Sequence, residues 1–288
     1  MRALAALALA VTLYGQTPFR VPFKCAEDEV QAMGESCNAG EPCAVYLELS
    51  ALEVLGPKVF VTGNLHGDTA TVASILLMSD DGGRTWTEPH ERIRSAVLDQ
   101  IQFIDFEMGW VGGQLLLGTP KDPFLLITHD GGKSWRRQPV FEDTHPGTIE
   151  QFWFDSRNSG VLLIDRVQAS ETGARYELLE SMTGGESWIP RETQAAPIQL
   201  NKTRPAANPD WRLRPDAGLK SYRVEHRESG KWTAVALFPV LVASCTAAEP
   251  VLAEPSQDSE KAEPEAEKKA DAPAAPKRPP TLRKKPTP

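Results

Sequence analysis

The sequence predicts an all-β protein, a β-propeller with few blades (four to five) followed by a disordered C-terminal tail. Three strings align without a gap: SDDGGRTW at 79–86, THDGGKSW at 128–135 and SMTGGESW at 181–188. They recur about every 50 residues, and apolar, strand-like sequence precedes each of them. A unit of about 50 residues with some four short strands has the size of one propeller blade.

Each string predicts a turn between two antiparallel strands. A hydroxyl and an acid, such as Ser79 and Asp81, can accept backbone N–H groups that a tight loop leaves unpaired. The glycine pair allows positive φ, and the closing tryptophan packs on the hairpin. We predict that the following residues are structural: Ser79, Asp81, Gly83, Trp86, Thr128, Asp130, Gly132, Trp135, Ser181, Gly185 and Trp188. The segment 228–232, with Gly230 and Trp232, is a weaker fourth copy.

Four segments follow from composition. We predict that residues 1–16 are a signal peptide, because they combine a short positive start with an apolar run that is too short to span a bilayer. Residues 17–43 form a cysteine-containing N-terminal segment, 44–245 the propeller, and 246–288 a tail rich in Pro, Glu and Lys. This predicts an exported protein, periplasmic or secreted, with no transmembrane segment in the mature chain. The net charge of -8 excludes nucleic acid as a partner.

The four cysteines suit an oxidising compartment, and none has the spacing of a metal site. Because a ring must bring its ends together, we expect the two ends of the mature chain to complete one blade. The favoured pairing joins Cys43 to Cys245 and Cys25 to Cys37. The pairings of Cys245 with Cys37 or with Cys25 remain open.

The turn pattern S/T-x-D-x-G-x-S/T-W resembles the Asp-box, or bacterial neuraminidase repeat, of sialidase-like β-propellers. The first two strings match it fully, and the third has Thr183 in place of the acid. Phe103-x-Asp105 followed by Gly109-Trp110-Val111-Gly112-Gly113 resembles the repeat of the photosystem II stability and assembly factor group. The resemblance implies architecture and says little about activity, since glycosidases, lectin-like binders and assembly factors share this fold.

No catalytic signature is present, and we predict no catalytic residue, no cofactor and no metal. Phe19-Arg20-Val21-Pro22 resembles the F/Y-R-I-P phrase of sialidases, which would make Tyr222 and Glu225 a nucleophile pair. We expect instead a non-enzymatic module for protein binding or assembly of an envelope complex. The alternative is a glycan-binding or glycan-cleaving sialidase-like propeller. The candidate binding residues are Trp153, Trp211, Arg212 and Arg214, types that are enriched at interfaces.

Overall fold

The structure, a computed structural model, describes residues 17–33, 37–168, 173–200 and 208–246. One short helix, α1 (Glu27–Met33), precedes the strands. The strands are β1 (Cys43–Leu55), β2 (Lys58–His66), β3 (Thr71–Ser79), β4 (Ala96–Phe103), β5 (Gly109–Leu117), β6 (Thr119–Thr128), β7 (Arg136–Pro139), β8 (Thr148–Phe154), β9 (Gly160–Asp165), β10 (Tyr176–Ser181), β11 (Ile189–Gln194), β12 (Trp211–Asp216), β13 (Ser221–Glu228), β14 (Lys231–Pro239) and β15 (Leu241–Cys245). The signal peptide and, apart from Thr246, the tail predicted from the sequence lie outside the described residues.

The strands form four antiparallel sheets, numbered here in chain order. The second sheet contains β4 to β7, the third β8 to β11, and the fourth β12 to β14. The first sheet has the order β15-β1-β2-β3, so the last strand of the described chain pairs with the first. This confirms that the two ends meet to complete one blade.

Neighbouring sheets share buried apolar cores, and these cores fix the order of the blades. Large side chains of both sheets lie in each core: Phe238 with Val61 between the fourth and first sheets, Phe60 with Phe124 between the first and second, and Trp110 with Phe154 between the second and third. Burying each such side chain stabilises the fold by roughly 1.5–3 kcal/mol. The described residues thus form an all-β propeller of four blades in the order fourth, first, second, third, and Trp110 is fully buried in its core.

The third and fourth sheets share no buried apolar cluster among the described residues. The outer face of the third sheet instead packs Leu163 and Tyr176 against Ile198 and Leu200, from the segment that follows β11. The outer face of the fourth sheet is polar, as described below. Apolar cores therefore join neighbouring sheets at three interfaces, and the third and fourth sheets have no core in common.

The disulfides differ from the favoured pairing. Cys25 bonds Cys245 with a Cα–Cα distance of 5.4 Å, and Cys37 bonds Cys43 with a Cα–Cα distance of 5.1 Å. The predicted Cys43–Cys245 and Cys25–Cys37 pairs are wrong, although Cys43 does lie opposite Cys245 in the β1–β15 register. The N-terminal segment supplies the reason: the N–H of Phe19 donates to the carbonyl of Leu237 at 2.8 Å, so this segment follows β14. It thereby brings Cys25 to the end of β15.

The fourth copy of the turn is only partly what the sequence predicted. Ser229 and Gly230 both have positive φ, at 49° and 78°, and join β13 to β14 as a two-residue hairpin loop. This loop is much shorter than the other three turns. Trp232 lies opposite Arg227 on the polar face of the sheet, unlike the closing tryptophans of the other three turns.

Candidate functional site

The first of the three glycine-pair turns (79–86, 128–135 and 181–188) is held by one hydroxyl and one carboxylate. Ser79 Oγ accepts the N–H of Gly83 at 2.8 Å and donates to Asp81 at 2.8 Å. Asp81 accepts the N–H groups of Arg84 and Thr85, each at 2.9 Å, and the hydroxyl of Thr85 at 2.7 Å. The backbone N–H of Thr85 contributes most to lowering the pKa of Asp81 to about 2.

The second turn repeats this arrangement. Thr128 Oγ1 accepts the N–H of Gly132 at 2.9 Å, and Asp130 accepts the N–H of Ser134 at 3.0 Å. Burial opposes ionisation of Asp130, but the hydrogen bonds from Ser134 prevail and lower the pKa of Asp130 to about 2. Both aspartates are therefore ionised and fully engaged in their own turns.

The third turn keeps the geometry without the charge. Ser181 Oγ accepts the N–H of Gly185 at 2.9 Å, and Thr183 Oγ1 accepts the N–H of Ser187 at 2.9 Å. A neutral hydroxyl at Thr183 thus replaces the carboxylate of the other two turns.

Each glycine-pair turn packs against the preceding sheet. A Cβ added to the second glycine would lie 3.0 Å from Val235 at Gly83, 2.4 Å from Phe60 at Gly132, and 3.1 Å from Leu125 at Gly185. The preceding sheet also donates to two of these turns, from Lys58 Nζ to the Gly131 carbonyl at 2.6 Å and from Trp110 Nε1 to the Gly184 carbonyl at 2.8 Å. These contacts use the turn residues to join blades.

The structure places the two candidate tryptophans on different sheets. Trp153 lies on β8, on the face of the third sheet turned away from the second, and its indole N–H donates to Asp155 at 2.8 Å. Trp211 lies on the core face of the fourth sheet, where its ring stacks on His226 at 4.4 Å. Trp153 and Trp211 therefore do not share one surface.

Arg212 and Arg214 belong to a larger group on the opposite face of the fourth sheet, which we call the arginine face. It consists of Arg212, Arg214, Arg223, Arg227 and Trp232, with Glu225 between them. The strand register brings them together, because Arg212 lies opposite Glu225 and Arg214 opposite Arg223. The sequence signal was the alternation Arg212-x-Arg214 on β12 and Arg223-x-Glu225-x-Arg227 on β13.

Glu225 is a buried carboxylate that pairs with two of the arginines of the arginine face. It is only 4% exposed, and its carboxylate accepts from Arg212 Nε at 2.5 Å and pairs with Arg223 Nη2 at 3.2 Å. Asp216 pairs with Arg223 at 3.2 Å. A buried carboxylate needs such partners to offset its desolvation, so Glu225 holds Arg212 and Arg223 in fixed positions.

Trp232 gives this face an aromatic surface. The guanidinium of Arg212 lies 4.0 Å from the centre of its ring, and that of Arg227 lies 5.4 Å away. Arg227 also pairs with Asp210 at 3.0 Å. Stacking on an aromatic ring fixes the plane of each guanidinium and leaves its edge open for hydrogen bonds.

Arg214 differs from its three neighbours because its side chain makes no hydrogen bond or ion pair within the described part of the chain. It is exposed and lies directly opposite Arg223, another cation. Like charges in this position repel one another unless a third group intervenes. Arg214 is therefore a cation available for an external anion.

The residues of the sialidase-like interpretation do not come together. Arg20, Tyr46 and Tyr222 line a cleft of about 750 Å³ between the first and fourth sheets. Glu225 projects from the other face of β13 and is paired with Arg212, so Tyr222 and Glu225 do not form a nucleophile pair. Burial raises the pKa of Tyr222.

The described residues contain neither a cluster of metal ligands nor a membrane-spanning helix. No group of three or more His, Cys, Asp or Glu side chains there is placed to hold a metal ion. Within the same ranges, no helix has the length and apolar character needed to cross a membrane.

No family model and no curated protein sequence match the chain. The similar solved structures include YCF48 bound to D1 peptide (18% identity, 67% of this chain and 55% of that one, TM-score 0.37) and YCF48 from Cyanidioschyzon merolae (18%, 66% and 59%, TM-score 0.34). An α-L-arabinanase from Penicillium chrysogenum is also similar (11%, 69% and 62%, TM-score 0.34). The chain thus spans between one half and two thirds of the length of these three structures.

Proposed function

We propose that the protein is an exported, non-enzymatic β-propeller that binds a protein partner through the arginine face. The observation that carries the proposal is Arg214, an exposed cation without a partner in the described chain, placed beside three arginines whose positions are fixed. Arginine and tryptophan are the residue types that contribute most to protein interfaces. The arginine face combines both on one sheet surface.

The chemistry of this face favours an acidic segment of the partner. The chain as a whole carries a net charge of -8, so an exposed cation here is a local departure from the general surface charge. Planar guanidinium groups bind carboxylates in a bidentate way, and their prior orientation reduces the entropy lost on binding. We therefore expect binding to weaken with added salt.

The glycan alternative has less support. The cleft contains two tyrosines and Arg20, but its carboxylate, Asp216, accepts the N–H of Leu219 at 3.0 Å and pairs with Arg223. A glycoside hydrolase of the common type needs two carboxyl groups that flank the bond to be cleaved. The sialidase-type reading therefore remains the second candidate.

Two further parts of the proposal concern location and family. Two disulfides are compatible with export, which the apolar N-terminal run also predicts. From the phrase Phe103-x-Asp105 with Gly109 to Gly113, we propose that the chain is related to the photosystem II assembly factor group. The physical basis of this phrase is a close contact, since a Cβ on Gly109 would lie 2.6 Å from the Phe103 ring. A photosynthetic role is not part of this proposal.

The test uses the mature protein as bait in extracts of its own cell envelope. Arg214→Glu should reduce capture of the bound protein by about tenfold or more, because reversing a contacting charge removes one attraction and adds a repulsion. Arg84→Glu makes the same charge change on the exposed first turn and should leave capture unchanged. Equal capture by Arg214→Glu and the parent, with equal melting temperatures, would assign the partner to another surface.

A further inference from the structure

The C-terminal strand β15 ends the first sheet with a free edge. Its register partners all lie on β1, and no residue from Leu241 to Cys245 has another backbone hydrogen bond within the described chain. Unpaired N–H and C=O groups along a strand edge form a template for a further strand.

The other edge strands of the described sheets are protected, whereas β15 is held by another segment only at Cys245, through the disulfide to Cys25. Charges or prolines lie in β4 (Asp99), β7 (Arg136, Pro139), β8 (Glu150), β11 (Pro190, Arg191) and β12 (Arg212, Pro215). Thr87 and Ser95 make backbone hydrogen bonds to the edge of β3, and Phe19 makes one to the edge of β14. The sequence of β15, Leu-Val-Ala-Ser-Cys, contains no charge and no proline. Natural sheets rarely leave such an edge without cover.

An apolar cleft lies beside this edge. Leu241 and Ser244 of β15 line the cleft of about 750 Å³ that also contains Tyr46, Tyr222 and Leu219. Leu241 is 52% exposed and Leu219 is 61% exposed. The volume is in the range of single-ligand pockets, and its concave apolar wall suits an inserted side chain.

The rim of the cleft is positively charged. Arg20 and Lys220 are both exposed and pair with no acid among the described residues. The one acid in the lining, Asp216, accepts the N–H of Leu219 and pairs with Arg223, so that guanidinium offsets its charge. An acidic group on the occupant would complement this rim.

We propose that the β15 edge and its cleft bind an extended segment of a partner protein, which adds to the first sheet as a strand. An apolar side chain of the segment enters the cleft, and an acidic residue pairs with Arg20 or Lys220. A second copy of this chain fits less well, since antiparallel pairing of two β15 strands would bring four cations together. The site is separate from the arginine face and goes beyond the function proposed above.

The experiment uses the full chain and a synthetic peptide of alternating valine and threonine with glutamate at each end. We expect saturable binding below about 1 mM peptide and a loss of about tenfold for Leu241→Lys, which places a charge on the edge. Ile189→Lys makes the same change on β11, at a residue 54% exposed, and should not alter binding. A peptide with terminal lysines should bind about tenfold more weakly.

Two series of N-methylated peptides separate strand addition from other modes of binding. Methylation of the amides that face β15 should abolish binding, and methylation of the alternate amides should have no effect. Arg214→Glu should leave peptide binding intact, which distinguishes this site from the arginine face. The proposal is overturned if the glutamate peptide does not bind, if both methylated series bind equally, or if Leu241→Lys splits a dimer of the parent protein.

Discussion

The first three sheets and the fourth sheet are held in the propeller by different devices. A glycine-pair turn packs each of the first three sheets onto the sheet before it, with a tryptophan and a hydrogen-bonded hydroxyl in every case. The fourth sheet has a two-residue hairpin loop instead. It is held to the first sheet by the shared core, by the N-terminal segment and by the Cys25–Cys245 disulfide.

This difference accounts for where the core is interrupted. Each of the three glycine-pair turns packs against the preceding sheet, so a turn of this kind on the fourth sheet would pack against the third sheet. That turn is the one the structure lacks, and the third and fourth sheets are the pair without a common apolar cluster among the described residues. Trp232 corresponds to the closing tryptophan of the other turns, but its ring packs against the guanidinium of Arg212. The face of the fourth sheet that shares no apolar cluster with the third sheet is the one that carries the arginine face.

The largest expected effect comes from removing the device particular to the fourth sheet. The double change Cys25→Ala with Cys245→Ala should lower the free energy of unfolding by about 5 kcal/mol, because this bridge spans 220 residues. Removing Cys37 and Cys43 in the same way should lower it by about 2 kcal/mol, since only 6 residues separate them. Urea unfolding of both variants measures the difference. Equal losses would show that the long bridge does not secure the fourth sheet.

A smaller effect should distinguish the two kinds of turn. Gly132→Ala should cost about 3 kcal/mol, because φ is +82° and the new Cβ would lie 2.4 Å from Phe60 of the preceding sheet. Gly230→Ala should cost about 1 kcal/mol, since φ is +78° but nothing lies within 4 Å. Thermal unfolding of the two variants is the measurement. Similar losses would mean that packing onto the preceding blade adds nothing to the backbone strain.

The turns were predictable from sequence because every part of them is local. A hydroxyl, an acid and a glycine pair within eight residues specify the hydrogen bonds of 79–86 with no knowledge of distant strands. The arginine face was only half predicted, since Arg223 and Arg227 join Arg212 and Arg214 through the pairing of β12 with β13. Trp211 is predicted as a binding residue from its type alone. Its position in the fold depends on the same strand pairing, which puts its ring beside His226 on the core face of the sheet.

The disulfides show the limit of reasoning from spacing. Cys43 and Cys245 do face each other across β1 and β15, as the closure of the ring required. Cys25 nevertheless takes Cys245, because the N-terminal segment docks on β14 through Phe19. That docking depends on the edge of β14, which is distant in sequence, and no local pattern near residue 19 indicates it.

The smallest expected effect separates the charged turns from the neutral one. Asp81→Ala should lower the free energy of unfolding by about 1–2 kcal/mol at pH 7, because it leaves the N–H groups of Arg84 and Thr85 without an acceptor. The pKa of Asp81 is about 2 in the fold against 3.8 for the unperturbed group. A lowered pKa stabilises the fold above pH 4, and this stabilisation is lost as the pH falls toward 2.

The difference between the parent and Asp81→Ala should therefore shrink from pH 4 to pH 2, as measured by urea unfolding at intermediate pH values. Thr183→Ala removes the corresponding acceptor of the third turn, where Thr183 Oγ1 accepts the N–H of Ser187. Its cost should stay constant over the same interval, because a hydroxyl does not titrate there. If the two variants respond to pH alike, the carboxylate of the first turn acts only as a neutral acceptor would, and its charge adds nothing to the joining of the blades.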